Sequence, residues 1–201
     1  MLKLKIILFL FLVSTTAILF SQKQILPKNF VYLIDIDPSI KSELRYISTN
    51  NFIGKPIDGY IAKTVIVSTR TAYALKKIQE KLAPFNLSLK IFDAYRPQQA
   101  VNHFVRWAKM LNDTLMKQQY YPKVAKNQLF QLGYIASKSG HTRGSTVDLT
   151  IIDIHTGKEL DMGSPYDFFG NRSHVLHKNL TAKQKANRLL LRNLMLSNGF
   201  N

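Results

Sequence analysis

The 201-residue sequence contains no cysteine. That excludes a disulfide scaffold, a cysteine zinc finger, an iron–sulfur protein and a thiol nucleophile. Acidic residues are scarce as well: twelve Asp and Glu stand against 28 Lys and Arg, and the only glutamates are Glu43, Glu80 and Glu159. No apolar run reaches the roughly 20 residues that a membrane-spanning helix needs, which argues against a polytopic membrane protein. Repeats, low-complexity tracts and Pro/Gly/Ser linkers are absent from the sequence, so one domain is the simplest partition.

Hydrophobic residues make up 46% of the chain and charged residues 20%, a composition that builds a core and is not that of a disordered chain. The net charge is +16, with Lys outnumbering Arg 20 to 8 along the whole sequence. Such scatter reads as compositional drift, or as an attraction to anionic polymers of the cell envelope. No nucleic-acid-binding motif accompanies it, so nucleic acid is not an expected partner.

Residues 1–22 have the pattern of a secretory signal. Lys3 and Lys5 precede a fifteen-residue apolar run, Ile6 to Phe20, broken only by Ser14, Thr15 and Thr16. An uncleaved N-terminal membrane anchor is the other reading. Either way the chain is expected to be exported to the periplasm or cell envelope, with its folded domain at residues 27–201.

Within that domain Ala74, Leu75, Ile78 and Leu82 recur at helical spacing from Arg70 to Leu82, and Pro84 follows. Residues Leu87 to Phe92 alternate as a half-buried strand does. Arg96-Pro97 opens a second helix whose stripe is Val101, Phe104, Val105, Ala108 and Leu111. After Gly144, Val147, Leu149 and Ile151 share one strand face and Asp148, Thr150 and Ile152 the other. Thr181 and Gln184 have capping-box spacing ahead of a leucine-rich helix that Gly199 would end. Strands and helices mix without βαβ regularity, which predicts an α+β fold: a small antiparallel sheet with helices packed on it.

Two segments could carry chemistry. In Ser139-Gly-His-Thr-Arg-Gly-Ser-Thr-Val-Asp148, His141 would stand on a loop or strand end and Asp148 on the polar face of the next strand. An imidazole nitrogen and a carboxylate oxygen are both good zinc ligands. A surface histidine and a turn-capping aspartate would give the same spacing. In Phe92-Asp-Ala-Tyr-Arg-Pro97, Asp93 and Arg96 lie between a strand and a helix. There an arginine could steady an oxyanion, or simply pair with the aspartate to close the corner.

Taken together, Phe92-Asp-Ala-Tyr-Arg-Pro97 and Ser139-x-His-x-x-Gly-x-x-Val-Asp-Leu-Thr150 resemble the D-alanyl-D-alanine dipeptidase family. These are zinc peptidases of the bacterial envelope, with members that confer vancomycin resistance. Leu44-Arg-Tyr46, Asn50-Asn-Phe-x-Gly-Lys-Pro56, Tyr120-Tyr-Pro122, Met162-Gly-Ser-x-x-Asp-Phe168 and the stretch from Asn187-Arg188 to Gly199-Phe200 match in order. The resemblance implies the D-Ala-D-Ala metallopeptidase, or hedgehog-like zinc peptidase, fold and hydrolysis of D-alanyl-D-alanine or a similar small D-peptide. By the same resemblance His141 and Asp148 are ligands of one Zn2+, Arg96 stabilises the transition state, Ser139 and Asp167 lie near the substrate's termini, and Tyr46 lines the pocket.

In that family a strand bearing Glu-x-x-His, the general base and the third zinc ligand, follows the helix that ends in Gly-Phe. The sequence in hand ends at Asn201, before such an element. His174 and His177 are the nearest histidines that could substitute. The expectation is therefore a domain truncated before its final strand, with two of three zinc ligands and impaired activity. The alternative is a degenerate, non-catalytic envelope protein that binds peptidoglycan fragments.

Overall fold

The computed structural model describes residues 24–201; the expected export segment, residues 1–22, lies outside them. In chain order the elements are β1 (Phe30–Tyr32), α1 (Leu33–Ile36), β2 (Lys41–Ser42), β3 (Ile66–Ser68), α2 (Thr69–Leu82), β4 (Leu87–Asp93), α3 (Gln98–Lys109), α4 (Lys117–Tyr120), β5 (Asp148–Asp153) and α5 (Ala182–Ser197). This is an α+β architecture. Among the described residues no helix is long and apolar enough to cross a membrane.

The organising strand is β4. It pairs antiparallel with β5 along its length and parallel with β2 over two residues, while β1 and β3 form a separate antiparallel pair. The main sheet is thus mixed, where an antiparallel one was expected. The chain between β2 and β4 runs through β3 and α2, and a long crossover of this kind returns a strand in the parallel sense. Leu89 and Ile91 of β4 and Ile151 of β5 are fully buried against Leu75, Ile78 and Leu82 of α2. Val147 and Leu149 join that face as the alternation predicts, and Leu191 and Leu194 of α5 pack against the same core.

Helix α2 starts at Thr69, one residue before the expected Arg70, because the Ser68 hydroxyl accepts from the Thr71 N–H and caps it. Ala72 is buried in the stripe where Ala74 was expected. In α3, Pro97 is the N-cap and not the first helical residue. The helix stops at Lys109, so Leu111 lies beyond its end and is exposed, and Trp107 occupies the core position instead. There Phe52 meets Phe104, Trp107 and Phe169 at centroid distances of 5.0, 5.1 and 5.0 Å, which makes a second, aromatic core. Thr181 and Gln184 form the full capping box of α5. At its other end Gly199 N–H bonds the Leu196 carbonyl and Phe200 N–H that of Met195, the paired contacts of a Schellman motif.

Two local irregularities position the site. The β4–β5 register shifts between Ile91 and Asp93, so Phe92 is an extra residue and Asp93 becomes the direct partner of Asp148. A bulge of this kind re-aims side chains near a sheet edge. His141 is not on a strand; it sits in a 3₁₀ turn, Gly140–Arg143, capped by the Ser139 hydroxyl and closed by Gly144 at φ +67°. Of the two expected ligands the sheet therefore carries only Asp148, beside Asp93, and His141 comes from the turn.

Gly144 is the residue this turn cannot exchange. A Cβ there would be strained by the left-handed backbone and would drive into the Phe30 ring. Gly144→Ala is expected to cost about 1–3 kcal/mol and to lower the melting temperature by several degrees. A thermal melt followed by circular dichroism checks it; an unchanged transition would contradict the assigned turn.

Candidate metal centre and active site

Asp93 is the innermost charge, 1% exposed. Its Oδ2 accepts from Nε and Nη2 of Arg96 at 2.9 and 2.8 Å, and its Oδ1 accepts from the Tyr60 hydroxyl at 2.7 Å. Burial pushes the Asp93 carboxyl upward, and the guanidinium opposes that shift. Held in this way, Arg96 lies over the faces of Tyr46 and Phe104 at 5.3 and 5.1 Å and reaches Oδ2 of Asp148 at 3.4 Å.

The His141 ring is fixed from behind. Nδ1 lies 2.9 Å from the Ala94 carbonyl, so in the neutral ring Nδ1–H donates there and the Nε2 lone pair points outward. Nε2 is 3.5 Å from Oδ1 of Asp148. Burial opposes protonation of His141, but the hydrogen bond to Asp148 together with the charges of Asp148 and Asp93 outweighs it and raises the pKa. The same bond helps keep Asp148, whose side chain is partly exposed, below the ordinary carboxylate range.

Asp93, His141 and Asp148 form the group of metal-capable side chains among the described residues, with candidate ligand atoms within 4.8 Å of one another. Its members are not equivalent. Asp93 approaches His141 at Nδ1, 3.4 Å away, and both its oxygens already accept hydrogen bonds. It therefore buttresses the ring from the side away from Nε2. Zinc bonds of about 2.0–2.2 Å in a tetrahedron set two ligand atoms roughly 3.4 Å apart. The Nε2–Oδ1 separation fits that spacing, and the backbone carbonyl on Nδ1 is the usual support of a ligating histidine. His174 and His177 do not belong to the group.

All six residues singled out in the sequence line one cavity of about 240 Å³: Tyr46, Arg96, Ser139, His141, Asp148 and Asp167. Ser139 also caps the turn, its Oγ accepting from the His141 N–H at 3.3 Å. Asp167 sits at φ +58° and accepts from the Tyr46 hydroxyl at 2.8 Å. Burial, with the nearby Asp148 charge, pushes its carboxyl up to about 8. A larger hollow of about 710 Å³, beside the end of α5, contains Arg70, Arg143 and Arg192 but no metal-capable group. Size does not locate the site; chemistry does.

Sequence reasoning missed two hydroxyls. Tyr60 lies 33 residues from Asp93, and Tyr166 donates to Asp148 Oδ2 at 2.9 Å across 18 residues. The one local hint was Tyr166 standing beside Asp167.

Comparison with known proteins supplies independent evidence. Residues 27–201 match the family model Peptidase_M15, described as D-ala-D-ala dipeptidase. A D-alanyl-D-alanine dipeptidase of Enterococcus faecalis is 39% identical over 172 residues, 86% of this chain and 85% of the relative. Proteins of the same name from Streptomyces coelicolor and Escherichia coli are 35% and 34% identical over 172 residues, covering 85% and 78% of those chains.

The raised pKa of Asp167 generates a stability prediction. Folding at neutral pH must keep on this carboxyl a proton that the unfolded chain has lost, so its contribution becomes less favourable as pH rises from the unfolded value near 4 to the folded value of about 8. Asp167→Asn keeps an acceptor for Tyr46 and tolerates the positive φ. It should stabilise the protein by about 1–3 kcal/mol at pH 8 and by nothing near pH 4. Denaturant midpoints at the two pH values decide it; an equal gain at both would show a cause other than charge.

Proposed function

The chain belongs to the Peptidase_M15 family of D-Ala-D-Ala dipeptidases, and from that premise we propose that it hydrolyses the D-alanyl-D-alanine dipeptide, with His141 and Asp148 as zinc ligands and Arg96 as the charge-stabilising residue. The family's chemistry is zinc-dependent hydrolysis of a dipeptide. The observation that carries the assignment of residues is the Nε2–Oδ1 spacing of 3.5 Å beside a fixed arginine.

Zinc, when bound, polarises the scissile carbonyl and makes a water reactive near neutral pH. The remaining work belongs to the chain. His141 presents Nε2 because Ala94 occupies its Nδ1–H. The Arg96 guanidinium is held by Asp93 before substrate arrives, so it can meet negative charge growing on the carbonyl oxygen with little reorganisation. Asp167 receives the dipeptide's ammonium group and Tyr46 orients that carboxylate. Ser139 faces the other end of the substrate. A cavity of about 240 Å³ suits a molecule of two small residues. The basic, apolar start of the sequence supports export to the cell envelope.

Residues 24–201 provide His141 and Asp148 as the candidate ligands, and the carboxyl groups around them are engaged: Asp93 is saturated by Arg96 and Tyr60, and Asp167 accepts from Tyr46. This favours slow turnover in a polypeptide of these 201 residues, and it is the observation behind the second reading, a non-catalytic binder of peptidoglycan fragments.

The test is D-alanine release from D-alanyl-D-alanine with zinc supplied, beside the Enterococcus faecalis relative. Turnover should be chelator-sensitive, and a polypeptide in which no carboxylate serves as base should run about 10²–10⁴-fold below that relative. Asp148→Ala should lose zinc on dialysis, whereas Arg96→Ala should retain it and lose activity. Equal zinc loss in both variants would contradict the division of roles. Retention of zinc by the unmodified chain without any release would favour the binder.

A further inference from the structure

The two oxygens of Asp148 have different surroundings. Oδ1 faces Nε2 of His141, while Oδ2 accepts the Tyr166 hydroxyl at 2.9 Å and lies 3.4 Å from Nη2 of Arg96. The arginine cannot hold Oδ2 alone, because its short bonds go to Asp93. Asp148 is also open to solvent, its side chain 30% exposed. A carboxylate turns easily about its last torsion, and without a partner on Oδ2 it could exchange its oxygens or offer both.

Tyr166 is built to prevent this. Its ring stacks on Phe92 at a centroid distance of 4.5 Å and an angle of 18°, so the bulge residue of β4 fixes the plane in which the hydroxyl lies. The hydroxyl has one proton and two neighbours, Asp148 and the Tyr46 hydroxyl 3.0 Å away. An ionised carboxylate is the stronger acceptor and takes it. Tyr46 in turn donates to Asp167, so each tyrosine hydroxyl serves a different carboxyl group.

We infer that Tyr166 is a positioning residue that pins Oδ2 of Asp148 and thereby makes the aspartate a one-oxygen metal ligand through Oδ1. The inference rests on the reading of His141 and Asp148 as ligands.

Tyr166→Phe in the 201-residue chain keeps the ring stack and removes only the hydroxyl. Cobalt(II), added up to millimolar concentration, is the probe, with affinity taken from chelator competition and geometry from the visible absorption bands. Tyr166→Phe should bind cobalt about 10-fold more weakly or worse, as expected for loss of a ligand's supporting partner, and its bands should change as the second oxygen becomes available. A purely structural tyrosine would lower the metal-free melting temperature and leave the bands unchanged. Tyr121→Phe is the control, since that buried hydroxyl has no hydrogen-bond partner; it should match the parent in cobalt affinity and bands. In an Asp148→Ala background, Tyr166→Phe should have no further effect on cobalt, because the tyrosine acts through the aspartate.

Parent-like affinity and bands in Tyr166→Phe overturn the inference, as does a full additional loss in the Asp148→Ala background. If the parent takes up no cobalt, or Asp148→Ala binds as the parent does, the ligand reading beneath it fails and the inference falls with it.

Discussion

A single buried carboxylate, Asp93, underlies the geometry of the cavity. With 1% exposure it must be fully partnered, and its partners are Arg96, Tyr60 and the Nδ1 edge of His141. An unpaired charge at this depth would be strongly destabilising, so whatever keeps Asp93 satisfied also fixes the guanidinium and the imidazole. The bulge at Phe92 belongs to the same constraint: it makes Asp93 the direct neighbour of Asp148 and offers its own ring to Tyr166. One extra residue in one strand thus sets the relation among two carboxylates, an arginine and a tyrosine.

Asp167 shows the opposite bargain. It lies beneath a tyrosine hydroxyl and near another negative group, with a pKa of about 8. A carboxyl kept neutral at rest destabilises the fold relative to an amide, yet it can receive a cation by giving up its proton. Asp93 is stable because its charge is answered inside the protein; a charge on Asp167 would not be, so that carboxyl holds its proton. Such a division between a satisfied charge and a strained one is characteristic of binding sites.

What could be read from the sequence depended on range. Helix α5, with Thr181 and Gln184 at one end and Gly199 at the other, is specified by residues within a few positions of each other, and its caps are as expected. The strand at Leu87 was legible from alternation, but it is not half-buried: Ser88 and Phe92 on one face are as hidden as Leu89 and Ile91 on the other. The candidate residues were legible because their motifs are compact in sequence. The bulge was not, since nothing in Ile91-Phe92-Asp93 announces which residue the partner strand will skip. Leu111 was misplaced because helical spacing continues past the point where α3 ends. The hydroxyls of Tyr60 and Tyr166 reach the site through tertiary contacts, and no spacing rule connects them to Asp93 or Asp148.

Net charge is a poor guide to the site. The molecule carries +16, yet two of its twelve acidic residues, Asp148 and Asp167, line one small cavity with Arg96 and Lys138, and a third, Asp93, is buried behind the arginine. Several carboxylates outside it are answered at once: Glu43 by Arg45 and Lys90, Glu159 by Lys90, Asp58 by Arg106. A zwitterionic dipeptide has no net charge, so the long-range field of a basic surface neither draws it in nor repels it. Recognition must come from contacts within a few ångströms, where salt screens least. The functional signal is therefore not the excess of lysine, which sequence composition makes conspicuous, but a cluster of carboxyl groups around one small cavity in a chain with few of them.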